Sequence, residues 1–235
     1  MTAGISRWAC WNATGVAIGG APPEKKPGPL APWADAPPLS KIHPRARRPH
    51  PQAKALVQLA STVLGERRIE GLAVTLGTAS GSAAPDREFD RELQAKGPGF
   101  GSPSLFVYTL PSAGLGEIAV AFGAHAALTS ISAGSASALT AIVTAIDDVD
   151  SGRVPAVLCG GFEWGTESDF IALFLVEKSG PITVTGDLGY GETPEGRRGD
   201  VLDLATALAA GLPFNLTAVD RLGFWAQLRS TGAFQ

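Results

Sequence analysis

One serine holds the position best suited to nucleophilic chemistry. The stretch Leu128-Thr129-Ser130-Ile131-Ser132-Ala133-Gly134-Ser135-Ala136-Ser137-Ala138 reads as a strand, a turn of small residues and the start of a long helix. Ser135 falls at the first turn of that helix, where unpaired N–H groups give a partial positive charge. A thiol there would become a thiolate; a hydroxyl is too weak an acid for the dipole alone and needs a base. The histidines are His43, His50 and His125. The first two sit in a basic segment and His125 in a turn ahead of the strand, so a surface or structural role is the expectation for each. A Ser135-dependent acyltransferase or hydrolase, with His125 as base, is the enzymatic reading of these residues.

Other chemical patterns are missing. Gly186-Asp187-Leu188-Gly189-Tyr190-Gly191 has the wrong spacing for a dinucleotide fingerprint, and no Walker lysine follows it. Ala133 and Ser137 stand where a G-x-S-x-G elbow needs glycines. Cysteine and histidine are too few and scattered for a metal cluster, so neither metal nor cofactor is expected. Cys159 lies in an apolar strand and reads as a core thiol.

The elements that must position these residues follow from hydrophobic spacing. Leu139, Ile142, Val143, Ile146 and Val149 predict a helix over 135–149. Leu56, Leu59, Ala60, Val63 and Leu64 predict another over 51–65, opened by Pro51 and closed by Gly65. Shorter helices are expected over 86–96, 112–123 and 202–210. Residues 72–76, 128–132, 155–159 and 171–176 read as strands, and 214–219 with 224–228 as a hairpin. The first twenty residues read as a broken apolar stretch, 97–111 as a loop, and 180–200 as a loop or linker. Apolar, non-alternating strands between helices predict an α/β protein with a mixed sheet covered by helices on both faces.

Composition sets outer limits. With 19 Lys and Arg against 22 Asp and Glu, net charge −3, the chain lacks the footprint of a nucleic-acid binder. A hydrophobic content of 45% excludes an acidic disordered tail. No apolar run reaches about 18 residues, so no membrane span is expected. Two cysteines fit a reducing compartment, the cytoplasm. Residues 22–51 hold ten of the 18 prolines and form an expected extended arm. Lys41, His43, Arg45, Arg47, Arg48 and His50 make its end basic, a candidate docking patch for an acidic partner.

Three stretches together resemble the β-ketoacyl synthases. Ser102-Pro103-Ser104-Leu105-Phe106 followed by Thr109-Leu110-Pro111-Ser112-Ala113-Gly114-Leu115-Gly116-Glu117-Ile118-Ala119 resembles the segment ahead of the family nucleophile. The strand leading to Ser135 is similar to the nucleophile region, and Val157-Leu158-Cys159-Gly160-Gly161-Phe162-Glu163 to the strand and double glycine after it. The resemblance covers about residues 70–180 well, residues 1–69 loosely and the last fifty residues only faintly.

The resemblance implies the thiolase fold: a thiolase-like N-terminal half over residues 1–180, with a loop, short helix and β-hairpin tail over 181–235. It puts Ser135 where the family has its active cysteine, and it leaves no counterpart for the family's two second-half histidines. These departures are similar to the short chain-length-factor partner of ketosynthases, which pairs with an active synthase and shapes its acyl tunnel. On that likeness the chain is a catalytically silent subunit whose partners are an active β-ketoacyl synthase and, through the complex, an acyl carrier protein. Phe106, Tyr108, Thr109, Leu128, Ser130, Ser132 and Gly134 would lie at the partner interface or tunnel, with Phe106 as a stop. Arg45, Arg47 and Arg48 would dock the carrier protein.

Overall fold

The computed structural model describes residues 2–19, 27–44, 46, 49–178 and 180–230. Its spine is one mixed sheet. Strands β1 (Ala3–Asn12), β2 (Gly15–Ile18), β3 (Leu72–Gly77), β4 (Leu128–Ile131), β5 (Ala156–Glu163) and β6 (Phe170–Lys178) come first, then β7 (Ile182–Tyr190), β8 (Arg197–Arg198), β9 (Asn215–Val219) and β10 (Phe224–Ser230). The spatial order is β4-β3-β5-β6-β1-β7-β10-β9-β8, and β2 hangs off β1. Strand β3 is parallel to β4 and β5, whereas β6 runs antiparallel to β5 and β1.

Helices cover both faces, as the apolar strands require. Helix α1 (Leu39–Ile42) is a single turn; α2 (Pro51–Leu64) and α5 (Ala113–Phe122) pack on one face. Helices α6 (Ser137–Asp150) and α7 (Val201–Ala209) pack on the other. Helix α3 (Ala83–Lys96) and the short α4 (Pro103–Phe106) pack against each other. Alternation along β6 shows the layering: Leu173 and Leu175 enter the α2/α5 core, Phe174 and Val176 the α6/α7 core. Pro51 at the first position, a His50 Nδ1 cap on the Gln52 amide (3.2 Å) and Gly65 at φ +61° set the ends of α2 as its sequence predicts.

Three expectations are corrected. Within the first twenty residues, 3–12 form β1, in the interior of the sheet, and 15–18 form β2; a register shift between Ile5 and Arg7 interrupts the β1 alternation. Residues 97–111 contain α4 and a 3-10 turn, Val107–Thr109, where a loop was expected. Residues 182–190 are strand β7. It pairs with β1 at Gly4–Thr183 and Ile5–Ile182 and with β10 along its length. The chain after residue 180 therefore extends the same sheet and covers the β1 edge, with α7 packed into the α6 core. The β9–β10 hairpin is as expected.

Candidate functional site

The turn between β4 and α6 is built by close backbone approaches. A Cβ at Gly77, the end of β3, would lie 2.1 Å from the Ser137 carbonyl oxygen. One at Gly161, in β5, would lie 2.4 Å from the Ala138 Cβ. Glycine at both strands lets the N-terminus of α6 sit directly on the sheet. Gly134 turns the chain at φ +50°. Ser137 Oγ accepts from the Ala133 amide (2.8 Å) and donates to the Gly134 carbonyl (2.6 Å), which closes the turn.

Ser135 is exposed and lies two residues ahead of the first helical residue, not in the first helical turn. Its hydroxyl donates to the Val219 carbonyl at 2.6 Å, across 84 residues of chain. None of the hydrogen bonds of the described residues joins it to a histidine. His43 is buried, with Nε2 2.7 Å from Glu117 Oε2. His50 is buried too; its Nδ1 caps α2 and its Nε2 faces Glu88 Oε2 at 3.4 Å. Both histidines thus take the structural of the two expected roles and anchor the end of the arm. His125 is exposed. Cys159 is a core thiol, and burial pushes it up from the usual thiol range. A cavity of about 380 Å³ at the ends of β1 and β5 is lined by Glu163, Asp169 and Asp200. There Glu163 accepts from the Ala79 and Ser80 amides, and Asp169 from the Thr166 amide.

The interface candidates divide into two groups. Leu128 and Ser130 sit on β4, the terminal strand of the sheet. The Val74 amide donates to the Ala127 carbonyl and the Thr78 amide to the Ile131 carbonyl. With Val74 opposite Leu128, this pattern turns the main-chain groups of 127, 129 and 131 toward β3 and those of Leu128 and Ser130 outward. Leu128 is 44% exposed. Ser132 and Gly134 follow on the same exposed run. At the opposite end, β8 is two exposed arginines, a charged edge of the kind that discourages pairing.

The second group precedes α5, which packs against β4, β3 and the 3-10 turn. Phe106, 57% exposed, stands beside Val107 and Leu110, also exposed, and its ring lies 5.4 Å from that of Phe89. Thr109 is half-buried, its carbonyl accepting from Ser82 Oγ. Tyr108 is half-buried, and its hydroxyl donates to Glu117 Oε1 at 2.7 Å. Burial and the Glu117 carboxylate push that phenol up to about 12. His43, Glu117 and Tyr108 form one chain of contacts that ties the arm to α5. The Glu117–His43 contact, Glu163 and the Val219 carbonyl carry no sequence signal for these roles, because the partners lie far along the chain. Arg45, Arg47 and Arg48 lie outside the described residues. Among the described residues no three His, Cys, Asp or Glu could hold a metal ion, and no single helix is long and apolar enough to cross a membrane.

Residues 11–178 match the family described as beta-ketoacyl synthase, N-terminal domain. No curated protein matches the sequence. Among solved structures, the ishigamide ketosynthase/chain length factor aligns at TM-score 0.76 and 16% identity, over 98% of this chain and 99% of that one. The ketosynthase ApeO in complex with its chain length factor ApeC, from Xenorhabdus doucetiae, aligns at 0.69 and 15%, over 97% and 99%. AntDE:AntF, a type II polyketide carrier protein in complex with its ketosynthase, aligns at 0.77 and 11%, over 98% and 99%. At these identities the likeness is one of fold: the thiolase-like fold of ketosynthases. It extends beyond residue 178, into the strands that the family match leaves out.

Proposed function

This chain belongs to the β-ketoacyl synthase family through its N-terminal domain, and on that premise we propose that it is a catalytically silent, chain-length-factor-like subunit. It pairs with an active β-ketoacyl synthase and shapes the tunnel for the growing acyl chain in polyketide- or fatty-acid-like elongation. Residues 1–180 are the synthase-like domain and 181–235 its tail, and the complex works in the cytoplasm.

The observation that carries this reading is Ser135. A hydroxyl nucleophile needs a base within hydrogen-bond reach. The Ser135 proton goes instead to a main-chain carbonyl, which cannot remove it. Decarboxylative condensation also needs donors aimed at a developing enolate oxygen, and the buried His43 and His50 are committed to Glu117 and to the α2 cap. Pairing is supported by β4, an uncharged terminal strand with outward main-chain groups and an exposed leucine. Phe106 is the tunnel stop in this reading, and Arg45, Arg47 and Arg48 meet the acidic carrier protein.

The test is chemical. The purified chain, alone and co-expressed with a full-length ketosynthase, is incubated with an acyl thioester and with a fluorophosphonate probe. The expected result is no mass increase on the peptide containing Ser135, and elongation only by the complex. An adduct on Ser135, abolished in Ser135→Ala, would establish the acyltransferase or hydrolase reading in its place. For the carrier, charge reversal at Arg45, Arg47 and Arg48 should weaken salt-sensitive binding to the complex.

A further inference from the structure

The tip of the β9–β10 hairpin carries a second apolar surface. Leu222 is 76% and Tyr190 74% exposed. The turn beneath Leu222 is rigidly built: Asp220 Oδ1 accepts from the Leu222 and Phe224 amides, each at 2.8 Å. The Asp220 amide donates to the Phe224 carbonyl (2.8 Å), and the Gly191 amide ties the neighbouring strand end to the Gly223 carbonyl (2.9 Å). Leucine on such a turn is held in water by an ordered backbone.

Tyr190 stands opposite Phe224, and Leu188 opposite Ala226, in the β7–β10 register. Residues directly opposite share a face. Phe224 and Ala226 face the α6 core, so Leu188, 41% exposed, and Tyr190 continue that face to where α6 begins. The hairpin is fastened there. Ser135 Oγ holds the Val219 carbonyl, and a Cβ at Gly134 would lie 3.1 Å from the Asp220 Cβ. Gly134 is three residues beyond the last residue of β4. The hairpin turn therefore meets the exposed run that follows β4 at Gly134 and Asp220, and the Ser135 hydroxyl fastens that junction.

We propose that this tip, with Leu222 and Tyr190 as its apolar contacts, is a second point of attachment to the same ketosynthase that pairs with β4. The inference rests on the function proposed above. Leu222 on an ordered turn and Tyr190 at the neighbouring strand end, joined at Gly134 to the run that follows the proposed pairing strand, suit a partner that buries both at once. Arg221, exposed beside Leu222, supplies a polar rim.

The test uses the full chain with the ketosynthase of the same gene neighbourhood. Affinities are measured by biolayer interferometry for the wild type, Leu222→Asp, Tyr190→Asp and the double variant. Circular dichroism and melting temperature confirm the fold, which two exposed positions should leave unchanged. The double variant is expected to bind about tenfold or more weakly. Variants that bind within about twofold of a tightly binding wild type, the ordinary result at a peripheral position, overturn the tip and leave the proposed function standing. A wild-type chain that binds no ketosynthase defeats the proposed function and the tip with it. A homodimer that the double variant turns into monomer assigns the tip to a second copy and overturns the proposal.

Discussion

Proline at Ser130 separates pairing from folding. The outward-facing amide of Ser130 takes no part in the β3–β4 ladder, so Ser130→Pro removes no hydrogen bond of that ladder. It does remove an edge donor and place a ring where a partner strand must approach. A partner carbonyl left unsatisfied in a buried interface costs about 1–3 kcal/mol. At about 1.4 kcal/mol per tenfold, that weakens binding roughly 5- to 150-fold. Thr129→Pro is the control one residue away. Its amide faces Val74, so it breaks the internal ladder and should cost the chain itself about 1–3 kcal/mol. For a chain of this length that is a fall in melting temperature of about 2–12 °C. Sedimentation velocity and surface plasmon resonance against a ketosynthase, beside thermal melts of the isolated chain, read both quantities. Ser130→Pro that binds like the wild type, or that melts as early as Thr129→Pro, would refute the assignment of this edge as the pairing strand.

Four further outcomes follow from buried and half-buried groups. Gly77→Ala forces α6 away from the sheet, because the new methyl would lie 2.1 Å from the Ser137 carbonyl oxygen; urea unfolding should show a loss of about 1–3 kcal/mol. In Tyr190→Phe, Tyr108 is the remaining tyrosine, and ultraviolet titration should find it ionising near pH 12 in the folded chain. The sign is that of a raised acid: its contribution to stability is intact below the unfolded value of about 10 and is lost as pH rises toward 12. Glu117→Gln removes the charge that adds to burial and should lower that midpoint. Cys10, pushed up to about 12 by burial, and the still more deeply buried Cys159 should resist alkylation at about pH 8 until denaturant exposes them.

Much of the architecture was readable from spacing. Helix α6 follows from Leu139, Ile142, Val143, Ile146 and Val149, and all five are buried. Helix α2 follows from its stripe and from Pro51 and Gly65. The β5 and β6 strands stand out because burial on both faces demands continuous apolar runs. Strand β1 did not stand out: Ser6 and Arg7 break its run where the register shifts, and Ser6 Oγ reaches the Leu175 carbonyl there. The site was half legible. Ser135 could be located from the strand–turn–helix pattern, but nothing local to it announces Val219.

Strand β7 shows where local reading ends. Its Gly186, Asp187 and Gly189 have the composition of a loop. Yet a Cβ at Gly186 would lie 2.5 Å from Val143 of α6, and one at Gly189 2.3 Å from the Trp225 ring. Those glycines make room for neighbours that only the fold brings near. By itself the sequence determined what short-range pattern can carry: which segments bury one face or two, where helices stop, and that a serine stands at the turn between a strand and a long helix. The tertiary structure alone decided that this hydroxyl ties down a hairpin 84 residues away and that the sheet ends in one open strand and one charged one. Both depend on contacts between distant segments, which no local periodicity records.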